Sequence, residues 1–126
     1  MKVSIIGTGI YATAIALSIS RNNHNITMWS ENAELVKHFQ KNHDLKPLTD
    51  ASIPKNIVLT NNILDAIQNT ELIIIATSTK YVRSVCENLK SISKNTPICI
   101  ASKGIENNTC SFLSDIVRDV LKTKHI

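Results

Sequence analysis

The chain has 126 residues, 43% hydrophobic and 19% charged, with aromatics at only 4% and a net charge of +4. That is one domain's worth of chain, with a core of Ile, Leu, Val and Ala; no apolar run reaches the roughly 20 residues that cross a bilayer, and the lysines are scattered rather than interleaved with aromatics, which argues against nucleic acid. Cys86, Cys99 and Cys110 lack ligand spacing and the histidines at 24, 38, 43 and 125 form no i,i+4 pair, so neither a metal site nor a disulfide framework is expected, and a reducing cytoplasm is the expected setting.

The first apolar run, Lys2–Ile6, predicts a strand, and it passes straight into Gly7 and Gly9. Ile10–Arg21 follows with apolar residues at 10, 14 and 17 and at 15 and 19, a helical spacing. Ile26–Trp29 predicts the second strand, and Asn32–Asn42 a helix with Asn32 as N-cap and Leu35, Val36 and Phe39 on one face. Between residues 41 and 57, Pro47 and Pro54 block regular structure and predict a surface excursion. Ile57–Leu59 is the third strand. The fourth, Leu72–Ala76, is apolar throughout, as a strand covered on both faces should be. Lys80–Ser91 predicts a helix facing inward with Val82, Val85, Cys86 and Leu89. Ile98–Ala101 is the fifth strand, with Cys99 read as a buried thiol, and Thr109–Lys122 the last helix, with Phe112, Leu113, Ile116, Val117, Val120 and Leu121 as its apolar stripe.

Strands alternating with helices predict an α/β fold: a doubly wound, Rossmann-like parallel sheet of order 3-2-1-4-5 with helices on both faces. The stretch "GTGIYA" lies between the first strand and the first helix, the context a dinucleotide fingerprint requires. Gly7 allows a sharp turn, Gly9 lets a diphosphate approach the backbone, and Ala12 at the third position packs helix on strand. Glu31, 22 residues past Gly9, is placed to accept the ribose hydroxyls of the adenosine half, with Ser30 as the alternative. A 2′-phosphate beside Glu31 would be repelled by about 1–4 kcal/mol per unit charge at ~4 Å, which favours NAD over NADP. Ser78, after strand four, is a cofactor contact or a helix N-cap. Lys103, after strand five, offers a cation that meets a phosphate or polarises a carbonyl.

Taken in order, "KVSIIGTGIYATAIA", "ITMWSEN", "IPKNI", "ELIIIATSTKYVR" and "ICIASKGIE" resemble the N-terminal domain of bacterial NAD(P)-dependent glycerol-3-phosphate dehydrogenase over essentially the whole chain. The resemblance implies an oxidoreductase that interconverts dihydroxyacetone phosphate and sn-glycerol 3-phosphate in phospholipid metabolism. It implies cofactor contacts at Gly7, Gly9, Ile10 and Tyr11, and a role for Lys103 at both cofactor and substrate. Family members commonly carry arginine where this chain has Glu31, and Pro-Ser where it has Thr77-Ser78. The family continues into a helical substrate domain with a second catalytic lysine, so residues 1–126 read as a truncated dinucleotide-binding domain, expected to bind the adenine half weakly and to turn over nothing alone. An open edge at strand five predicts self-association, marginal stability or a need for the missing segment. Two alternatives stay open: a regulatory nucleotide-binding module without catalysis, and another dehydrogenase of small hydroxy or keto acids.

Overall fold

A computed structural model describes residues 1–46, 48–92 and 94–126. Pro47, one of the two prolines expected to interrupt the excursion, lies outside the described residues. Five parallel strands, β1 (Lys2–Ile6), β2 (Asn25–Trp29), β3 (Ile57–Thr60), β4 (Leu72–Ile75) and β5 (Ile98–Ile100), pair in the order β3-β2-β1-β4-β5, the predicted one. In register, Ile5 lies between Met28 on one side and Ile74 on the other. The order reverses at β1, so the ends of β1 and β4 diverge and leave a crevice above the sheet.

Among the described residues five α-helices cover the sheet: α1 (Ile10–Ser20), α2 (Ala33–Asn42), α3 (Ile63–Ile67), α4 (Val82–Asn88) and α5 (Leu113–Leu121). One core layer joins Val3, Ile5 and Ile74 to α1 and α2 through Ala12, Ala16, Val36 and Phe39. The other joins Ile6, Ile73 and Ile75 to α4 and α5 through Val82, Cys86, Leu89, Ile116 and Val117. Successive β-residues point to opposite faces, so the unbroken run Ile73–Ile75 supplies both layers. Asn32 caps α2 as expected, its Oδ1 accepting the Leu35 amide at 3.1 Å.

Five features depart from the sequence reading. α3 was not expected; it is a turn and a half long, capped by Asn62, whose Oδ1 accepts the Leu64 amide at 3.0 Å. Beside the expected Ala12, the fully buried face of α1 is Thr13, Ala16 and Ser20, while the larger Ile15, Leu17 and Ile19 are only partly buried, because a helix lying close on a sheet favours small side chains at the contact. Cys99 is exposed, since it faces away from α4 and α5 on the edge strand. The last helix starts at Leu113, not Thr109: residues 105–112 form a small antiparallel turn with Ile105 opposite Phe112, which leaves Phe112 67% exposed. At the β5 edge, the outward Ile98 amide is bonded to the His125 carbonyl at 2.8 Å, so part of the edge expected to be open is already paired. Among the described residues no helix is long and apolar enough to cross a membrane.

Candidate functional site

The β1–α1 turn is built around two glycines with different reasons to be glycine. Gly7 has φ +133°, and a Cβ there would lie 2.5 Å from the Ala76 carbonyl oxygen. Its amide bonds the Trp29 carbonyl at 3.0 Å, so the turn is wedged between the ends of β2 and β4. Gly9, the N-cap of α1, has an ordinary extended backbone at φ −65°. A Cβ on Gly9 would meet nothing within 4 Å. Packing therefore explains Gly7, whereas no atom of the fold crowds Gly9. The first-turn amides of α1 have no side-chain cap, and a helix start of this kind favours an anion.

Two grooves lie beside that turn. The first, about 400 Å³, lies over β1, β2 and β4; the turn (Gly7–Gly9), Trp29, Ser30, Glu31 and Ala76–Ser78 line it. Ser30 is buried, its Oγ accepting from Thr8 Oγ1 at 2.8 Å and from the Asn32 amide at 3.2 Å. Glu31 sits exposed at the lip. The second groove, about 490 Å³, lies over β4 and β5, bounded by Tyr11, Ala76–Thr79 and Ala101–Lys103. Ala76, Thr77 and Ser78 belong to both, so the grooves share one wall.

Three links tie the loop after β5 to the segment after β4. Ser102 Oγ donates to the Thr77 carbonyl at 2.6 Å. Thr79 Oγ1 donates to the Lys103 carbonyl at 2.6 Å. Arg83 donates through Nε and Nη2 to both carboxylate oxygens of Glu106, each at 2.7 Å. The Arg83 hydrogen bonds, helped by one from Thr109, hold the Glu106 carboxyl down to about 2. Gly104, at φ +121°, makes the bend between Lys103 and Glu106. The result is a rim from which the Lys103 ammonium reaches over the Tyr11 ring, 5.3 Å from its centroid, as a cation–π pair.

The structure brings Gly7, Gly9, Ser30, Glu31 and Ser78 to the first groove and Tyr11, Ser78 and Lys103 to the second. Ile10 lines neither; it stands 70% exposed at the start of α1. Ser78 occupies the N-cap position of a single 3-10 turn (Thr79–Tyr81) without making a side-chain cap bond. Sequence reasoning missed Thr8, Ser102, Thr79 and the Arg83–Glu106 pair. Only Arg83 and Glu106 left a signal, an unassigned charge on each of the two segments that meet, and nothing in their spacing pairs them. Among the described residues no group of His, Cys, Asp or Glu is arranged to hold a metal ion.

Comparison with known proteins gives a consistent answer. The family profile described as "NAD-dependent glycerol-3-phosphate dehydrogenase N-terminus" matches residues 2–126. A glycerol-3-phosphate dehydrogenase (NAD(P)+) of Orientia tsutsugamushi is 40% identical over 96% of this chain, and the counterpart from Fusobacterium nucleatum is 32% identical over 99%. The chain spans 37% and 38% of the length of those two curated relatives. A crystal structure of glycerol-3-phosphate dehydrogenase from Coxiella burnetii superposes with a TM-score of 0.89 at 20% identity, covering 95% of this chain and 37% of that one. A D-mandelate dehydrogenase solved with NADH superposes at 0.72 and 21% identity over all of this chain and 37% of that one. At such identities both likenesses speak to fold alone.

Proposed function

Since the chain belongs to the family of N-terminal domains of NAD-dependent glycerol-3-phosphate dehydrogenase, we propose that it binds a nicotinamide dinucleotide across its two grooves. In this reading it is the cofactor domain of an enzyme that interconverts sn-glycerol 3-phosphate and dihydroxyacetone phosphate. The observation that supports it most is the empty space beside Gly9, where a Cβ would meet no atom of the protein and where the uncapped α1 amides lie.

Each half of the ligand has a place. The adenosine half suits the first groove, with Trp29 as an apolar wall and Glu31 and Ser30 at the ribose. The diphosphate fits the turn at Gly7 and Gly9, where the amides that open α1 at Ile10 and Tyr11 supply donors and the helix dipole a partial positive charge. Ser78, on the shared wall, meets the ligand where it passes from one groove to the other. The nicotinamide end then lies toward Lys103. When bound, the cofactor supplies or takes up the hydride that the family's reaction needs.

The chain's own share of the chemistry is electrostatic and positional. Lys103 is held at the rim by contacts to its backbone, and its ammonium rests on Tyr11 without an ion pair among the described residues. It is available to a substrate oxygen or phosphate, and displacement from a ring face costs little beside a charge-assisted hydrogen bond. Glu31 accepts a ribose 2′-hydroxyl and repels a 2′-phosphate, which makes NAD the preferred cofactor over NADP. The relatives extend well beyond the matched stretch, and the groups that complete catalysis and grip the substrate phosphate belong in this reading to that further length. Self-association through the unpaired remainder of the β5 edge is a further part of the proposal, read out by light scattering.

Trp29 provides the test, because it is the only tryptophan and lines the first groove. Titration with NADH should change its emission saturably, and NADPH should need a higher concentration. No response to either dinucleotide refutes the binding reading; equal affinity refutes the role given to Glu31.

A further inference from the structure

Thr8, the middle residue of the glycine-rich turn, does something that glycine spacing does not call for. Its hydroxyl crosses from the end of β1 to the end of β2 and donates to Ser30 Oγ at 2.8 Å. Ser30 is 3% exposed. Its Oγ also accepts the Asn32 amide at 3.2 Å, and its own amide bonds the Thr60 carbonyl at 3.0 Å. Asn32 is held in turn by capping α2 through the Leu35 amide at 3.1 Å. Glu31 is thus the crown of a one-residue arch whose two feet are both pinned, and one of the pins runs back to the turn.

We propose that Thr8 is a positioning residue for cofactor selection: through Ser30 it fixes the Glu31 carboxylate at a set distance from the β1–α1 turn. The inference rests on reading the first groove as the adenosine site. The spacing between the diphosphate and the 2′-position is fixed by the ligand's own bonds. A protein reads that position sharply only if its anion-binding turn and its carboxylate are held at matching separation. A loose arch would let the carboxylate swing out, losing its hydrogen bond to a 2′-hydroxyl and relieving its repulsion of a 2′-phosphate. Both changes lower discrimination, whereas general damage to the groove would weaken the two cofactors alike.

The test compares Thr8→Val, which keeps the shape and removes the donor, with Thr8→Ser, which keeps the donor. NADH and NADPH are titrated against each and against the unaltered chain by Trp29 emission, and urea midpoints are recorded beside them. The expected result is a fall of about five-fold in the NADH-over-NADPH preference of Thr8→Val, the weight of one ordinary side-chain hydrogen bond, restored in Thr8→Ser. If Thr8→Val fails to fold, Ser30→Ala removes the acceptor instead and must lower the same ratio. An unchanged ratio, an equal loss for both cofactors, or no rescue by serine overturns the proposal. Failure of the unaltered chain to bind either cofactor overturns the adenosine reading and this proposal with it, and equal binding of both removes the selection that Thr8 is said to support.

Discussion

Alanine at position 7 and alanine at position 9 should fail in opposite ways. At Gly7 the new Cβ lies 2.5 Å from the Ala76 oxygen and 2.9 Å from the Ala76 carbonyl carbon, on a backbone at φ +133°. The obstacle is main chain, so either the β4 end or the turn must move. A backbone held in so sparse a region costs on the order of 1–3 kcal/mol, and overpacking adds about 1–3 kcal/mol. The combined loss of about 2–6 kcal/mol is a large part of the 5–15 kcal/mol that holds an ordinary domain together. At Gly9 the backbone angles, φ −65° and ψ 169°, suit any residue, and the Cβ enters open space. Alanine there should leave stability close to unchanged, because the about 0.4–1 kcal/mol gained from a less flexible unfolded chain is offset by the preference of a helix N-cap for glycine over alanine. Its methyl group nevertheless stands where the diphosphate approaches. Forfeiting one or two charge-assisted hydrogen bonds of about 1.5–3 kcal/mol each weakens NADH binding at least ten-fold. Urea unfolding and NADH titration on both variants give four numbers. Gly9→Ala with unchanged affinity would show that the space beside Gly9 has nothing to do with a ligand; Gly7→Ala with a normal urea midpoint would show that the close approach of Ala76 is not a constraint.

Three further outcomes follow from the site and its surroundings. Glu31→Gln, which removes the charge and keeps the shape, should tighten NADPH by about five-fold or more, from a repulsion of at least ~1 kcal/mol; competition titration against NADH checks it. The Glu106 carboxyl is held down to about 2 from an ordinary value of 4.5, first by Arg83 and then by Thr109. A carboxyl depressed by folding adds stability that is complete above the ordinary value and drains away as pH falls toward the depressed one. The difference in urea midpoint between the unaltered chain and Glu106→Gln should therefore be steady at neutral pH and shrink between about 4.5 and about 2; a difference independent of pH counts against the pairing. Of the three cysteines, Cys99 and Cys110 are exposed, while burial pushes the Cys86 thiol up to about 11. A neutral alkylating reagent followed by mass spectrometry should mark two sites in the folded chain and the third only in denaturant.

Much of the architecture was readable because the strong signals are local. The unbroken run Leu72–Ile75 reads as a strand with both faces covered, and the strand-turn-helix context of Gly7 and Gly9 points to the crevice. What was not readable depends on neighbours distant in sequence. α3 has five residues, too few for a period to show, and its one clear mark was the Asn62 cap. Ala12 packs against the sheet as its place in the glycine-rich turn implied, but α1 is apolar around most of its girth, and closeness to the sheet added Thr13, Ala16 and Ser20 to the buried face rather than the larger residues. Cys99 sits in an apolar run, yet an edge strand leaves one face bare. The links from Thr8 to Ser30 and from Arg83 to Glu106 span 22 and 23 residues, and no pattern of spacing reveals them.

The links that hold the rim have a consequence for what a substitution there can alter. Two of the three end on the carbonyls of residues 77 and 103, which every amino acid possesses, and the third lies at residues 83 and 106. The side chain at 103 is therefore a tenant of the rim and not part of its masonry. A change at 103 would alter the chemistry offered to a substrate while leaving these three links in place.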